Sequence, residues 1–382
     1  MKSTFPAAFF RLAAVFAAAI LCTLPARADY TTHPEVAAFV ETIAARNKLD
    51  TAQIYVALAR ANYNPRVVDL IRPPAKRTTK SWRRYRSRFL DRLHIDAGLQ
   101  AWAQYEDALN RAERQYGVPA EIILGILGVE TIYGRNTGNF ETLSALATLA
   151  FDYPPRADLF RGELEALFLL AREQGRDPAS YSGSFAGALG WPQFLPSSVR
   201  RYAVDFDGDG RIDFDTHPID AIGSIANYLR EFGWVSGGPV ALRARLDPGA
   251  DPAPLVATGF EPTLDRARIA ASGIRPAANT FPDEAALLID LETPDEATQY
   301  WLGYRNFYAI TRYNHSYFYA MAVFQLAQAL REGRDNPLAP PQYVELDKHS
   351  HAPAHKHGKA VKTKKMKPGK KQAVRNTKRR NR

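Results

Sequence analysis

The chain has 382 residues and a formal net charge of +10, but that charge is unevenly distributed. Residues 347–382 carry 14 Lys or Arg and one Asp, and residues 1–28 carry three basic residues and no acidic one. Removing these contributions of +13 and +3 leaves −6 for residues 29–346. The body of the chain is therefore mildly acidic, and the basic part of the sequence is its tail.

Residues 1–28 have the features of a signal peptide: basic residues, an apolar stretch over residues 12–24, and Ala-Arg-Ala at residues 26–28 as a small-x-small cleavage site. The apolar stretch is shorter than the roughly 20 residues that a membrane span needs. Cys22 is the only cysteine and follows Leu21, where a lipoprotein signal has a small residue. We therefore expect an exported, periplasmic protein that is soluble rather than lipid-anchored and has no disulfide bond.

Residues 29–234 are predicted to be mainly helical, because apolar residues recur there at helical spacing and Gly and Pro separate the runs. One apolar run, residues 119–133, carries Glu130 near its end. On a helix this carboxylate would project from the apolar face, and burial would raise its pKa toward neutrality, as a general acid at physiological pH requires. The alternative is a buried structural Glu paired with an Arg such as Arg135. This helix alone favours neither interpretation.

Residues 182–198 (SGSFAGALGWPQFLPSS) form a glycine-rich and aromatic segment. Its glycines allow close approach of backbones, and Ser184 and Gln193 supply hydrogen-bonding groups beside aromatic surface. Sugars bind to such a mixture of flat apolar faces and fixed polar groups. Taken alone, however, a glycine-rich apolar stretch is more often a loop that lets helices pack closely.

Residues 205–220 (DFDGDGRIDFDTHPID) match the start of an EF-hand calcium loop, D-x-D-x-D-G, with Gly210 at the sharp turn. Carboxylates packed so closely repel one another unless a cation neutralises them. The twelfth position is Thr216 instead of a bidentate Glu, and Asp220 is the nearest candidate to close the site. We therefore expect structural Ca²⁺ rather than a solvated acidic turn. The expected ligands are the side chains of Asp205, Asp207, Asp209 and Asp220 and the backbone carbonyl of Arg211.

The pattern changes after residue 234. Short, alternating segments separated by loops rich in Pro, Gly and Asp predict a small β-rich subdomain over residues 235–300. Helical periodicity returns in residues 301–335, the C-terminal part of the core. There the cluster RYNHSYFYA contains Asn314, which could cap the last helix or bind an acetamide group; from local sequence, the capping role is the more probable.

Residues 336–382 are predicted to form a disordered basic tail, because they contain too few apolar residues to offset the entropy of ordering. The expected partners of this tail are anionic wall polymers or membrane surfaces. Nucleic acid is a weaker candidate, because export separates the protein from most such targets. Its histidines, at positions 349, 351, 355 and 357, could bind a transition metal weakly, although a solvated tail is the expected state.

Several segments together resemble the membrane-bound lytic murein transglycosylase B family, lysozyme-like enzymes that cleave bacterial peptidoglycan. The resemblance covers about residues 35–332. It implies an α+β, mainly α fold: a lysozyme-like catalytic core with additional N-terminal helices, an EF-hand-like calcium loop and a small β-rich subdomain. The matching segments are GVETIYGRNTG, FDYPPRADLF, GSFAGALGWPQFLPSS, YAVDFDGDGRIDF followed by PIDAIGSIANYL, and RYNHSYFYAMAV.

The resemblance also implies an activity and a set of site residues. The family cleaves the β-1,4 bond between N-acetylmuramic acid and N-acetylglucosamine and leaves 1,6-anhydromuramic acid ends, with Glu130 as the catalytic acid. Where family members often carry paired arginines, this chain has Pro155 and Arg156, so only the second remains to contact a peptide stem. The residues implied to line the glycan groove are Ser184, Gln193, Tyr313, Asn314 and Tyr319.

Two other functions remain as alternatives to this prediction. One is a hydrolytic muramidase of the same fold, and the other is a noncatalytic peptidoglycan-binding protein. We expect a peptidoglycan-cleaving enzyme with probable structural Ca²⁺, no organic cofactor, glycan strands as its partners, no specific nucleic-acid partner and a monomeric state.

Overall fold

Apolar residues at helical spacing produce a chain that is largely helical, as the described residues show. The computed structural model describes residues 30–74, 79–256, 259–278, 282–337 and 343. The predicted signal peptide, and the predicted tail apart from residues 336, 337 and 343, lie outside the described residues. All described residues belong to one compact unit, Met1–Leu346.

The helices are numbered in chain order, and three short 3-10 helices accompany them at Tyr30–Thr32, Pro154–Arg156 and Pro178–Ser180. The α-helices are α1 (Val36–Asn47), α2 (Thr51–Leu58), α3 (Pro65–Ile71), α4 (Trp82–Arg86), α5 (Arg92–Gln104), α6 (Glu106–Tyr116), α7 (Ala120–Thr131), α8 (Thr142–Phe151), α9 (Ala157–Gln174), α10 (Pro196–Tyr202), α11 (Ile219–Glu231), α12 (Ala253–Val256), α13 (Arg266–Ala271), α14 (Arg305–Tyr313) and α15 (Tyr317–Asp335).

Helix α7 lies at the centre of the helical bundle, because its sequence is apolar on nearly all sides and the helix is almost wholly buried. It packs closely against α15. A Cβ on Gly125 would stand 2.7 Å from the Val323 carbonyl oxygen of α15, so a glycine is needed for the two backbones to approach this closely. This crossing fixes the position of the end of α7, where Glu130 lies.

The strands form two small antiparallel sheets. The first consists of β1 and β2, and the second has the order β4-β3-β6-β5. The strands are β1 (Phe140–Glu141), β2 (Ser182–Gly183), β3 (Ala241–Leu246), β4 (Ile274–Pro276), β5 (Leu287–Leu291) and β6 (Gln299–Gly303).

The four-stranded sheet is apolar on both faces. Side chains alternate between the two faces of a strand, so Leu287, Ile289 and Leu291 of β5 join the main hydrophobic core of the bundle. Leu288 and Leu302 lie on the opposite face, in a separate small core beneath α12 and α13. The sheet therefore joins its own subdomain to the helical bundle. Strand β6 ends at Gly303, three residues beyond residue 300, where the sequence predicted the end of the β-rich region.

The observed architecture confirms the predicted fold class, a mainly helical α+β protein with small sheets. Among the described residues, no helix is both long and apolar enough to cross a membrane.

Candidate active site

Helix α7 ends immediately after Glu130, at Thr131. The next two residues, Ile132 and Tyr133, both adopt left-handed backbone conformations, with φ angles of 52° and 54°. Such angles are uncommon for non-glycine residues and require support from the surrounding structure. Thr131 provides part of it, because its hydroxyl donates to the Trp191 carbonyl at 3.1 Å and accepts from the Gly134 N–H at 3.0 Å.

The glycine-rich segment packs against the loop that follows Glu130. A Cβ on Gly134 would stand 2.4 Å from the Trp191 ring, so this backbone lies directly on the indole. Gln193 donates from Nε2 to the carbonyls of Thr137 and Gly190, at 3.0 and 2.9 Å. Strands β1 and β2 pair the same two regions. The segment does serve as a close-packing loop, and it also forms a wall beside Glu130.

Glu130 is half-buried and is surrounded by a tyrosine cluster, defined as Tyr85, Tyr313 and Tyr319. The Tyr319 hydroxyl donates to Glu130 Oε1 at 2.6 Å. The rings of Tyr313 and Tyr319 are nearly parallel, with centroids 6.4 Å apart. Tyr313 in turn donates to the Pro192 carbonyl at 2.5 Å, which connects the cluster to the glycine-rich segment.

Burial raises the pKa of Glu130 from its ordinary value of 4.5 to about 7, and the hydrogen bond from Tyr319 offsets part of that rise. Near neutral pH, both the protonated and the ionised forms of the carboxyl are therefore populated. Burial and the neighbouring Glu130 carboxylate also raise the pKa values of Tyr313 and Tyr319 well above normal, so both hydroxyls stay protonated.

Among the described residues, Glu130 forms no ion pair. Arg135 is exposed and does not contact it, so the alternative of a structural Glu130–Arg135 pair does not occur. No other carboxylate contributes to the pKa of Glu130 either. Glu130 is therefore a single carboxyl group among neutral hydroxyls.

Ser184 lies in the turn that begins the glycine-rich wall. Its Oγ accepts from the backbone N–H groups of Ala186 and Ala188, at 3.3 and 3.0 Å. Because both contacts use the oxygen as acceptor, the hydroxyl hydrogen has no acceptor among the described residues and is available to a ligand.

The capping role expected for Asn314 is wrong. The cap of α15 is Ser316, whose Oγ accepts from the Tyr319 N–H at 3.3 Å, while Asn314 ends α14 with extended backbone and an exposed side chain. A serine two residues later satisfies the helix end, so the Asn314 amide remains free for other contacts.

None of the described contacts joins Arg156 to Glu130 or to the tyrosine cluster. It is exposed in the 3-10 helix before α9, and its guanidinium lies 5.3 Å from the Phe160 ring centroid. The described contacts do not bring it to the carboxyl group.

Tyr85 is the neighbour of Glu130 that the sequence did not reveal. It lies on the short helix α4, in the segment WRRYR, and burial raises its pKa, with a further rise from the Glu130 charge. A five-residue helix dominated by arginines has no periodicity that would single out its tyrosine. Only the packing of α4 against α15 brings Tyr85 to the site.

The acidic loop lies elsewhere, between α10 and α11. Carboxylate oxygens of Asp205, Asp207 and Asp209 come within 4.8 Å of one another, and all three residues are exposed. Backbone N–H groups bind the same carboxylates: those of Gly208 and Gly210 donate to Asp205, each at 2.8 Å. Three hard oxygen donors at this spacing fit a Ca²⁺ ion.

Asp220 occupies a different position from the other three carboxylates. It is buried in the first turn of α11 and accepts N–H groups from Phe206, Asp207 and Asp213, at 2.7, 3.3 and 2.8 Å. Burial raises the pKa of Asp220, the three backbone N–H groups offset part of that rise, and the Asp207 carboxylate adds to it. Asp220 thus fixes the backbone of the loop from the inside.

Comparisons with known proteins identify the family of this chain. The profile of the Transglycosylase SLT domain family matches residues 31–328. The membrane-bound lytic murein transglycosylase B of Escherichia coli K12 is 43% identical over 315 residues, which cover 80% of this chain and 85% of the relative. The chain therefore belongs to the transglycosylase SLT family.

Two solved structures add ligands to the comparison. The Escherichia coli lytic transglycosylase Slt35 in complex with calcium is 44% identical, with a TM-score of 0.72 and coverage of 80% of this chain and 96% of that one. SltB3 from Pseudomonas aeruginosa, in complex with NAG-anhNAM-pentapeptide, is 31% identical, with a TM-score of 0.68 and coverage of 77% and 78%. Relatives of this chain thus bind calcium and peptidoglycan fragments.

Family membership confirms the predicted class of activity. The protein is a lytic transglycosylase that acts on peptidoglycan.

The predicted localisation is contradicted. We expected a periplasmic protein that is soluble rather than lipid-anchored, whereas the 43% identical relative is a membrane-bound enzyme. That expectation depended on one residue, Leu21 before Cys22, which was too little on which to base the absence of an anchor.

Proposed function

We propose that Glu130 performs both proton transfers of the transglycosylase reaction. The observation that carries this proposal is a lone carboxyl group with a pKa of about 7 beside Tyr319. A general acid–base group is most effective when its pKa lies near the operating pH, because both of its forms are then available.

In the first step, protonated Glu130 donates its proton to the glycosidic oxygen between N-acetylmuramic acid and N-acetylglucosamine. The bond from that oxygen to the anomeric carbon breaks, the N-acetylglucosamine side leaves as an alcohol, and positive charge develops at the anomeric carbon. Glu130 is then a carboxylate. The Tyr319 hydroxyl, which stays protonated, stabilises that carboxylate through its hydrogen bond.

In the second step, the Glu130 carboxylate removes the proton from the C6 hydroxyl of the same muramic acid. The C6 oxygen bonds to the anomeric carbon and closes the 1,6-anhydro ring, and Glu130 recovers its proton. Most glycosidases use two carboxylates, one of which attacks or activates water. The absence of a second carboxylate beside Glu130 among the described residues favours the intramolecular hydroxyl as the acceptor.

Polar groups near the pocket would orient the sugar. The Ser184 hydroxyl hydrogen and the exposed Asn314 amide have no partner among the described residues and suit the acetamide group of the substrate. That acetamide would then face the developing charge at the anomeric carbon, as in substrate-assisted glycosidases. Gln193, Tyr313 and Tyr319 would shape the groove, and Arg156 would meet a peptide stem at its edge.

The acidic loop would bind Ca²⁺ with a structural role. The ligands would be the carboxylates of Asp205, Asp207 and Asp209 together with the carbonyl of Arg211, and the ion would neutralise carboxylates that otherwise repel one another. Asp220, predicted from the sequence as a further ligand, would instead hold the backbone of the loop around the ion. Calcium in Slt35 supports this assignment. None of these residues contacts Glu130 among the described interactions, so the ion takes no part in the proton transfers.

The test of the mechanism is digestion of purified sacculi by wild type and by Glu130→Gln, with mass analysis of the products. Wild type should release anhydromuropeptides, and the variant should bind murein but lose at least about 10²- to 10⁴-fold in turnover, because both proton transfers are lost. Normal turnover by the variant would remove Glu130 from the mechanism. Products one water heavier would instead indicate a hydrolytic muramidase.

A further inference from the structure

A cavity of about 460 Å³ lies outside the Glu130 cluster, where α4 and the C-terminal half of α15 meet strands β3 and β6. Its volume is within the range of sites that hold small ligands. The apolar part of its wall includes Leu90 and Ala329. The polar part consists of Arg86, Arg243, Gln299, Gln325, Gln328 and Glu332.

The cavity is built on a fixed framework. The backbone N–H of Trp82 donates to the Glu292 carbonyl at 2.7 Å, and the N–H of Arg83 donates to the Thr293 hydroxyl at 3.1 Å. These contacts hold the start of α4 against the end of β5. The walls of the cavity therefore come from elements that are tied together rather than from loose loops.

Both arginines of the cavity are oriented by amides. Arg86 donates from Nε to Gln325 Oε1 at 2.5 Å, and Arg243 donates from NH1 to Gln299 Oε1 at 2.7 Å. Among the described residues, neither forms an ion pair with a carboxylate. Two oriented guanidinium groups without a counter-ion in the protein suit an anionic ligand.

Trp301 adds an aromatic wall to the cavity. Its ring lies under the Arg243 guanidinium, 5.5 Å from centroid to Cζ, and meets the Phe324 ring edge-on. Its Nε1 is buried and has no hydrogen-bond partner among the described residues. Because this N–H is buried, the part of Trp301 that the cavity offers to a ligand is the surface of its ring.

We propose that this cavity binds a peptide stem of peptidoglycan, with stem carboxylates at Arg86 and Arg243 and the peptide backbone against the Trp301 ring. Stem peptides carry carboxylates, aliphatic side chains and, before cross-linking, the free amino group of a diamino acid. Glu332, exposed on the cavity wall and without an ion pair among the described residues, suits that amino group. The proposal rests on peptidoglycan being the substrate.

The cavity lies within reach of the active site. Tyr85 of the tyrosine cluster and Arg86 of the cavity are adjacent on α4. On α15, Gln325 follows Tyr319 by six residues, or about 9 Å along the helix axis. An extended peptide of four or five residues spans roughly 13–18 Å. A stem attached to a sugar near Glu130 is therefore long enough to enter the cavity.

The experiment is a titration of the full chain with a sugar-free stem pentapeptide. Calorimetry measures the affinity, and the NMR resonances of the indole N–H groups report where the peptide binds. The Trp301 resonance, assigned by its loss in Trp301→Phe, should shift on binding. Arg243→Gln and Gln328→Ala, both at exposed positions, should each weaken binding, the first by about tenfold because a charge-assisted contact is lost.

The matched control is Arg245→Gln, which makes the same change at an exposed residue of the same strand outside the cavity. It should leave peptide affinity and turnover unchanged. On murein, Arg243→Gln should lower the ratio of kcat/KM for peptide-bearing over peptide-free glycan chains by about fivefold to tenfold, mainly through KM.

The proposal is overturned if wild type does not bind the pentapeptide, if Arg243→Gln binds it as well as wild type does, or if peptide-free glycan alone shifts the Trp301 resonance. Glu130→Gln should bind the peptide normally. Because the titration does not require catalysis, turnover by Glu130→Gln would contradict the proposed mechanism without affecting this result.

Discussion

The Glu130 pocket and the acidic loop both depend on carboxylates, but their surroundings are opposite. Glu130 stands alone, half-buried among tyrosine hydroxyls, with no charged partner among the described residues. Asp205, Asp207 and Asp209 are exposed, and their carboxylate oxygens lie within 4.8 Å of one another. The first carboxyl can relieve the cost of its charge by taking up a proton, whereas the other three are better relieved by a cation.

This difference suits the two groups to different proposed roles, acid–base catalysis for Glu130 and stabilisation of the fold for the acidic loop. A carboxyl group with a pKa of about 7 can exchange a proton at physiological pH, which suits it to acid–base catalysis. Carboxylates that are exposed and bound by backbone N–H groups, as in the loop, are suited to hold an ion and to fix the chain around it. The environment, rather than the residue type, determines the role.

The largest effect in this comparison is expected from Tyr319→Phe. The variant loses the hydroxyl that donates to Glu130, and a hydrogen bond to a charged group contributes roughly 1.5–3 kcal/mol, so kcat/KM should fall about 10- to 100-fold. Because that bond stabilises the ionised form, its loss should raise the pKa of Glu130 further. The alkaline fall of kcat/KM, expected near pH 7 where the acid form is lost, should move to higher pH.

Tyr317→Phe is the control for that experiment. Tyr317 lies on the same helix, but its hydroxyl donates to the Gly259 carbonyl at 2.6 Å, so its removal should leave the alkaline limb in place. An unchanged pH profile for Tyr319→Phe would mean that the hydrogen bond does not set the pKa of the catalytic group.

A smaller effect, on stability alone, is expected from removal of calcium. An ion present at 100 times its Kd stabilises the folded state by about 2.7 kcal/mol, so EDTA should lower Tm by several degrees. Well below Tm, kcat/KM should not change, since the loop residues do not contact Glu130. Differential scanning calorimetry and a turnover assay on the same samples measure both quantities.

Two variants sharpen the calcium experiment. Asp209→Asn removes one carboxylate of the loop and should reduce the EDTA effect, whereas Glu130→Gln should keep it in full. A melting curve that EDTA does not alter, with no metal found in the protein, would contradict the calcium assignment.

Much of the fold could be predicted from the sequence, because its signals are local. The apolar run of α7, the alternating strand β5 and the glycine-rich segment each carry a periodicity or composition that one structure satisfies. The clustering of three carboxylates in the acidic loop could also be predicted, since D-x-D-x-D-G places its aspartates close together around a glycine turn. That these residues bind calcium stays a prediction.

The residues around Glu130 were harder to predict, because they come from distant parts of the chain. Tyr85 reaches the site through the packing of α4 against α15, and a short arginine-rich helix has no pattern that reveals this. The cap of α15 was misplaced because Asn314 and Ser316 are both good caps, and only the observed backbone distinguishes them.

The central claim is that one isolated carboxyl group keeps its proton up to neutral pH. The most direct measurement is a titration of ¹³C-labelled glutamate carboxyls, with the Glu130 resonance identified by its absence in Glu130→Gln. We predict a pKa of about 7 for Glu130. A value near 4.5, the ordinary one for glutamate, would contradict the account.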